Sequence, residues 1–249
     1  MRAGVRVAQN PVMAMSVTLA ALFQSRVDSP SIRRLLLAGV ECFWRDGFHG
    51  SSTRDISRRA KLSPAAVYVH FAAKEDLLFA IIIAVAENLR DSLRALAAQG
   101  GSPTALLSRL AHAYVALPAR MYKAALVANR EFDALTAAQQ REIVKIRDEL
   151  EQIVGNCLAE GKASGEFDFE DLSITRMALV SLCRSTLLWY SPRGRYTPEE
   201  IGDRYVELAL GMVRASAPLR RRATVAAVPK KVLPIAAKQE PPVPSRKAL

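Results

Sequence analysis

Cysteine and histidine are scarce in this 249-residue chain, three of each, and the shortage excludes most reactive-site chemistry. Cys42, Cys157 and Cys183 are odd in number and form no CxxC, so no disulfide framework is expected and a reducing cytoplasm fits. His49, His70 and His112 form no metal-ligand pair with a Cys or a second His. There is no GxSxG and no glycine-rich phosphate loop. An enzyme is therefore not expected, and no cofactor is implied. No apolar run reaches the length of a membrane span, so no membrane partner is expected. No stretch alternates with the period of a strand, and no internal repeat is present.

What the chain does have is base, unevenly placed. The formal net charge is +11 with pI near 10.0. Beyond residue 217, Arg220, Arg221, Arg222, Lys230, Lys231, Lys238, Arg246 and Lys247 face a single acid, Glu240. That segment supplies +7 and leaves +4 for residues 1–217. With six prolines and few large apolar residues, 218–249 cannot bury enough surface to offset its ordering entropy and reads as a disordered tail. At the other end, Arg2 and Arg6 precede the weakly apolar run Pro11–Phe23. The run is interrupted by Ser16 and Thr18 and lacks a small-x-small cleavage pattern. Residues 1–28 are read as a flexible arm, or as the product of a start assigned upstream of Met13 or Met15.

Between these ends the pattern is helical. Ser29-Pro30 is a cap followed by proline at the first helical position. Ile32, Leu35, Leu36, Val40 and Phe43 then keep helical spacing until Gly47 ends the helix. Ser52 caps a short helix with Asp55 three residues on. Ile56 and Ala60 face inward, while Arg58 and Arg59 form a solvated face. The chain turns through Lys61-Leu62 and restarts at Ser63-Pro64, giving a second short helix to about Phe71. Lys74 opens a long apolar helix to about Leu96. Two short helices across a tight turn, edged with base, are a helix-turn-helix. After the break at Gln99–Pro103, helices are expected near 104–116, 118–133, 137–162, 171–190 and 198–216. Pro118 is placed at the start of a new helix. The fold class is all-α.

Ala38, Phe43, Gly47, Phe48, Thr53, Arg54, Asp55, Ile56, Ala60, Ser63, Val67, Tyr68, His70, Phe71, Lys74, Glu75, Leu77 and Leu78, in order and without a gap, resemble the DNA-binding domain of the TetR family of bacterial repressors. The resemblance covers about residues 31–84. It implies a helix-turn-helix domain over 29–84 and a larger ligand-binding and dimerisation domain over 85–217. It also implies double-stranded DNA with a palindromic operator as partner, and a homodimer released by a small-molecule effector. Carried over by position, Pro64, Ala65 and Ala66 would face bases, where a methyl can meet a thymine methyl. Thr53, Arg54, Ser63, Tyr68, His70 and Lys74 would grip backbone or groove. Two departures stand out. Lys61 occupies the turn position usually held by Gly, at about 1–2 kcal/mol if left-handed, and Ala73 replaces a capping residue, at about 1 kcal/mol.

In the second domain, Ala128–Phe132, Trp189–Gly194 and Thr197–Ile201 resemble a subgroup that controls lipid or steroid breakdown and responds to acyl-CoA thioesters. That resemblance implies an apolar channel with cations at its mouth. His112, Tyr114, Met121, Tyr122, Arg130, Arg176, Met177, Arg184 and Trp189 are the candidate effector contacts. Each also has a plainer reading, as a core residue at helical spacing or an arginine reaching the surface. The competing functions are a drug-efflux repressor with a promiscuous aromatic pocket, and a non-regulatory helical protein that binds acyl-CoA or lipid.

Overall fold

The computed structural model describes residues 18–213; the proposed tail 218–249 and the first 17 residues of the expected arm lie outside them. The described chain forms ten α-helices and one 3-10 turn, with no strand among them. They are α1 Leu19–Arg26, α2 Pro30–Gly50, α3 Thr53–Arg59, α4 Ala66–His70, α5 Lys74–Ala97, α6 Pro103–Arg120, α7 Tyr122–Arg130, the 3-10 turn Phe132–Ala134, α8 Ala137–Ala163, α9 Leu172–Trp189 and α10 Pro198–Val213.

Helix α1 corrects the expectation of a flexible arm through residue 28. Thr18 caps it by accepting from the Ala21 N–H at 3.3 Å. Leu22 and Phe23 are 1% and 0% exposed, and burying such side chains is worth about 1.5–3 kcal/mol each. Arg26 then pairs with Glu87 and, at 2.9 Å, with Asp91 of α5. Leu19 and Val27 pack against the same cluster as Leu22 and Phe23, so positions 19, 22, 23 and 27 keep helical spacing.

Local chemistry sets most other boundaries. Ser29, Ser52, Ser102, Thr136 and Asp171 each accept a backbone N–H two or three residues into the helix they cap. Gly47, at φ 72°, breaks α2 as expected. Lys61 is left-handed, φ 55°. Around it Leu62 N–H donates to Ser57 O at 3.0 Å and Lys61 N–H to Arg58 O at 3.0 Å, the paired closure of a Schellman turn. Pro118 does not start a helix; it lies inside α6. Only one intrahelical bond is lost so near the end, and the chain bends three residues later at Met121, φ −106°, ψ 35°.

The buried side chains form two clusters. One joins α1–α4, the first half of α5 and α7, with Phe23, Phe43, Ile56, Leu78, Ile81 and Val127 among its members. The other joins the second half of α5 with α6, α8, α9 and α10, including Leu93, Leu107, Leu158, Leu179 and Ile201. Helix α5 runs through both. Helix α7 is tied to α2 by Lys123, whose Nζ lies 2.6 Å from Glu41 Oε1, and Glu41 also meets Arg59 of α3 at 3.5 Å.

Candidate nucleic-acid interface and internal cavity

The helix-turn-helix presents one solvent face. Val67 is the anchor of α4, fully buried beside Ile56 of α3. That phase turns Tyr68 and Val69 outward, 61% and 74% exposed, with Pro64, Ala65 and His70 also exposed. Tyr68 is steadied by a 3.2 Å hydrogen bond between its hydroxyl and Thr53 Oγ1, which joins the first residue of α3 to α4. Arg54 stands free of any ion pair among the described residues and is exposed. Arg58 instead pairs with Asp55 at 2.5 Å.

Two expected contacts and one expected cap change. Ala66 is 9% exposed and packs inward, because it precedes Val67 on the short α4 and shares its buried side. Ser63 caps nothing with its side chain; only its carbonyl accepts from the Ala66 N–H, at 2.9 Å. Lys74 has a structural task. Its ammonium donates to Phe48 O at 2.7 Å and Ser51 O at 2.8 Å, and sits 4.1 Å from the centre of the Phe48 ring. It closes the carbonyl end of α2 that the Gly47 break leaves open. At the start of α5, Asp76 compensates for Ala73 by accepting the Ala73 N–H at 3.0 Å. Val69 is the residue that reading by resemblance passed over. Its signal was its position, two residues after the buried Val67 and so turned away from it on α4.

At the seam between the two clusters lies a cavity of about 880 Å³, counting the space at its mouth. Ile82, Val85, Met121, Ala125 and Ile143 line it beside Tyr114, Val115, Leu117, Leu150 and Cys183. Its polar lining consists of Tyr114, Asn129, Arg147, Glu151, Arg184 and Thr186. Burial raises the Tyr114 phenol above its ordinary pKa, against the lowering charge of Arg184, so it is a neutral hydroxyl. Burial lowers the Arg147 pKa, and the Arg184 charge lowers it further. Cys183 is pushed up to about 12 by burial and is a plain thiol.

Of the candidate contacts, Tyr114, Met121 and Arg184 line this cavity and the other six do not. His112 faces α10, with Nε2 3.6 Å from Asp203 Oδ1. Tyr122 packs edge-on against Tyr190 at 5.6 Å. Arg130 is exposed at the end of α7. Arg176, about two turns before Cys183, has Nε 3.8 Å from Glu151 Oε2. Met177 and Trp189 lie on the solvent side of α9, Trp189 stacked on Tyr205. Arg147 and Glu151 are the residues missed. They flank the α8 stripe of Ile143, Ile146 and Leu150, and a position four residues after Ile143 shares its face.

Helix α9 also carries an outer apolar strip, Ile174, Met177 and Leu188, the last 78% exposed, with Leu208 of α10 beside it in type and exposure. Among the described residues no helix is long and apolar enough to cross a membrane.

Two family profiles match: "Bacterial regulatory proteins, tetR family" over residues 35–81 and "Tetracyclin repressor-like, C-terminal domain" over residues 100–213. The chain is 24% identical over 191 residues to the HTH-type transcriptional repressor KstR2 of Mycolicibacterium smegmatis, covering 75% of this chain and 93% of that protein. A bacterial regulatory protein of the tetR family from Rhodococcus RHA1 superposes with a TM-score of 0.69 at 29% identity, covering 75% of this chain and 98% of that one. AibR, in complex with isovaleryl coenzyme A and operator DNA, shares the fold at 20% identity and TM-score 0.66, covering 72% and 98%.

Proposed function

The chain belongs to the TetR family of bacterial regulatory proteins, and from that premise we propose that it is a cytoplasmic repressor that binds a palindromic operator as a homodimer and is released by a small effector with a large apolar part. One observation carries the reading: the cavity sits at the seam. Its wall includes Ile82, Val85, Met121 and Ala125 from the cluster that holds the helix-turn-helix, and Leu117, Leu150 and Cys183 from the other. An occupant therefore bears on α5 and α7 directly. Helix α5 leads back to α4, and α7 is tied through Lys123 and Glu41 to α2 and α3. A ligand that fits only one spacing of these elements shifts the equilibrium between DNA-competent and released states.

The exposed strip Ile174, Met177 and Leu188 on α9 supports a dimer, since an apolar stripe of this kind is unfavourable in water and fits a second copy. Two α4 helices set about one DNA turn apart, roughly 34–36 Å, read a palindrome. Within it, Pro64, Ala65, Tyr68, Val69 and His70 are the proposed groove contacts, and Thr53 and Arg54 the backbone contacts. KstR2 and the isovaleryl-coenzyme-A complex of AibR support an effector of acyl-CoA type and a role in lipid or steroid catabolism. Tyr114 is the one aromatic residue in the described lining, which argues against the drug-efflux alternative with its aromatic pocket.

The test is a footprint of the purified protein on DNA upstream of its own gene. A protected palindrome, bound far more tightly than random duplex and cleared by a long-chain acyl-CoA, is the expected result. Equal affinity for both DNAs would remove the repressor reading and favour a helical lipid-binding protein.

A further inference from the structure

Helix α8 crosses the seam as α5 does. Leu135 before it and Ile143 in its second turn belong to the first buried cluster, and Leu150, Val154 and Leu158 to the second. Its amino end is fastened to the amino end of α5 by a hydrogen bond from Gln139 Nε2 to Asp76 Oδ1 at 2.9 Å. Both side chains are also committed within their own helices. Gln139 Oε1 accepts the Thr136 N–H at 3.1 Å, and Asp76 Oδ2 accepts the Ala73 N–H at 3.0 Å. The two caps therefore form a relay, Thr136 to Gln139 to Asp76 to Ala73, in which each side chain is held at two points. Both are half-buried, so water competes for the bond only in part. Glutamate would close the α8 capping box equally well. Only an amide can accept from Thr136 and donate to Asp76 at once.

What lies on either side of this bond gives it a role. Ala73 ends the link Phe71–Ala73 that joins α4 to α5. Ile143 lies one turn beyond Gln139 on the same face of α8, about 6 Å along its axis, and lines the cavity with Arg147 and Leu150. Farther along, α5 and α8 meet again through Arg90 and Arg94 with Glu149, at 3.7 and 2.9 Å. Arg94 is exposed there, and ion pairs of that kind yield readily.

Resting on the effector reading above, we propose that the Gln139–Asp76 pair is the joint that carries occupancy of the cavity to the recognition helix α4. An occupant that displaces Ile143 moves the first turns of α8 with it. Gln139 cannot swing back toward Asp76 without giving up the Thr136 N–H. Asp76 then either follows α8 and takes Ala73 along, or loses the bond, because a hydrogen bond weakens steeply with misalignment. Either way the Phe71–Ala73 link changes shape and α4 moves with it. Neither residue lines the cavity, so both act by positioning.

Complementary substitution tests the joint. Gln139→Glu keeps the capping box but sets a carboxylate against Asp76. Asp76→Asn keeps an oxygen for Ala73 but sets an amide donor against the Gln139 amide. Together the two restore a donor–acceptor pair with its direction reversed. Operator affinity of the full-length protein is measured by fluorescence anisotropy with and without dodecanoyl-CoA, whose own binding is followed by calorimetry. The release ratio, operator Kd with the thioester over Kd without it, is expected to be at least about tenfold in wild type. It falls at least fivefold in each single variant and returns to within twofold of wild type in the double variant. Thioester affinity stays within threefold throughout, and circular dichroism spectra are unchanged. A full release ratio in either single variant, or no recovery in the double variant, overturns the proposal. If wild type binds no operator or shows no release, the repressor or effector reading fails, and hydrogen exchange of the ligand-free protein decides the joint separately. Amides of residues 66–76 exchanging at least fivefold faster in each single variant, and protected again in the double variant, support it; unchanged exchange removes it.

Discussion

Replacing Lys74 by Met separates the phosphate role implied by the resemblance from the structural role its ammonium has at the end of α2. The substitution keeps the aliphatic stem over Phe48 and removes only the ammonium. Two charge-assisted hydrogen bonds disappear, to Phe48 O at 2.7 Å and Ser51 O at 2.8 Å, together with the cation–π contact at 4.1 Å. Bonds to charged groups contribute about 1.5–3 kcal/mol each when fully buried. Lys74 is half-buried, so the lower end applies, and the expected total is about 2–3 kcal/mol. For a domain of this size each kcal/mol moves Tm by about 2–4 °C, so the variant should melt about 4–12 °C lower. A lysine that served only phosphate would leave Tm unchanged. It would instead reduce the slope of log affinity against log salt by about 0.9 per contact, or about 2 per dimer. Thermal unfolding by circular dichroism and a salt titration of operator binding measure both quantities. A Tm within 1 °C of wild type combined with the full loss of slope would refute the structural assignment of Lys74.

Three further outcomes are expected. Lys61→Gly relieves a residue at φ 55°; after the about 0.5–1 kcal/mol entropy penalty of glycine against an αL strain of about 1–2 kcal/mol, urea unfolding should show a net gain of about 0.5–1 kcal/mol, and Lys61→Ala no such gain. Phe23→Ala empties a fully buried site and should lower stability by about 3–5 kcal/mol, whereas a flexible arm would tolerate it. Glu166 accepts from the Thr104 hydroxyl at 2.7 Å and N–H at 2.9 Å, which hold its pKa below the ordinary value. Its contribution is therefore present above the unfolded pKa and is lost as pH falls through the folded one; Glu166→Gln should flatten the acid limb of a stability–pH profile and leave the neutral region least changed in shape.

Much of the architecture was legible because it is written locally. Ser29-Pro30 and Ser52 are caps whose side chains need only their own next few residues to act. The Lys61 turn is equally local: six residues of backbone, Ser57 to Leu62, close the Schellman pattern, and the left-handed conformation follows from it. Helix α1 escaped because Leu19, Leu22, Phe23 and Val27, although helically spaced, merge with the weakly apolar run before them, and their burial depends on surfaces supplied by the first core cluster. The start of α6's end was misread for a related reason. Pro118 loses its own bond and crowds the carbonyl four residues back wherever it sits, but only Ala119 and Arg120 follow it in α6, so little helix is disturbed.

By itself, then, the sequence determined the all-helical class, the helix-turn-helix with its caps and turn, and the family, because periodicity, capping and spacing are properties of neighbours along the chain. Tertiary structure alone decided which polar side chains meet. It turned Lys74 from the DNA side onto the carbonyl end of α2, buried Ala66, exposed Val69, and sent Arg176 to Glu151 while leaving Arg147 and Arg184 at the cavity. Those outcomes depend on the relative rotation and offset of helices far apart in sequence. A one- or two-residue difference along one helix moves a charge to another face, and only the packing of α5, α6, α8 and α9 fixes which face looks inward.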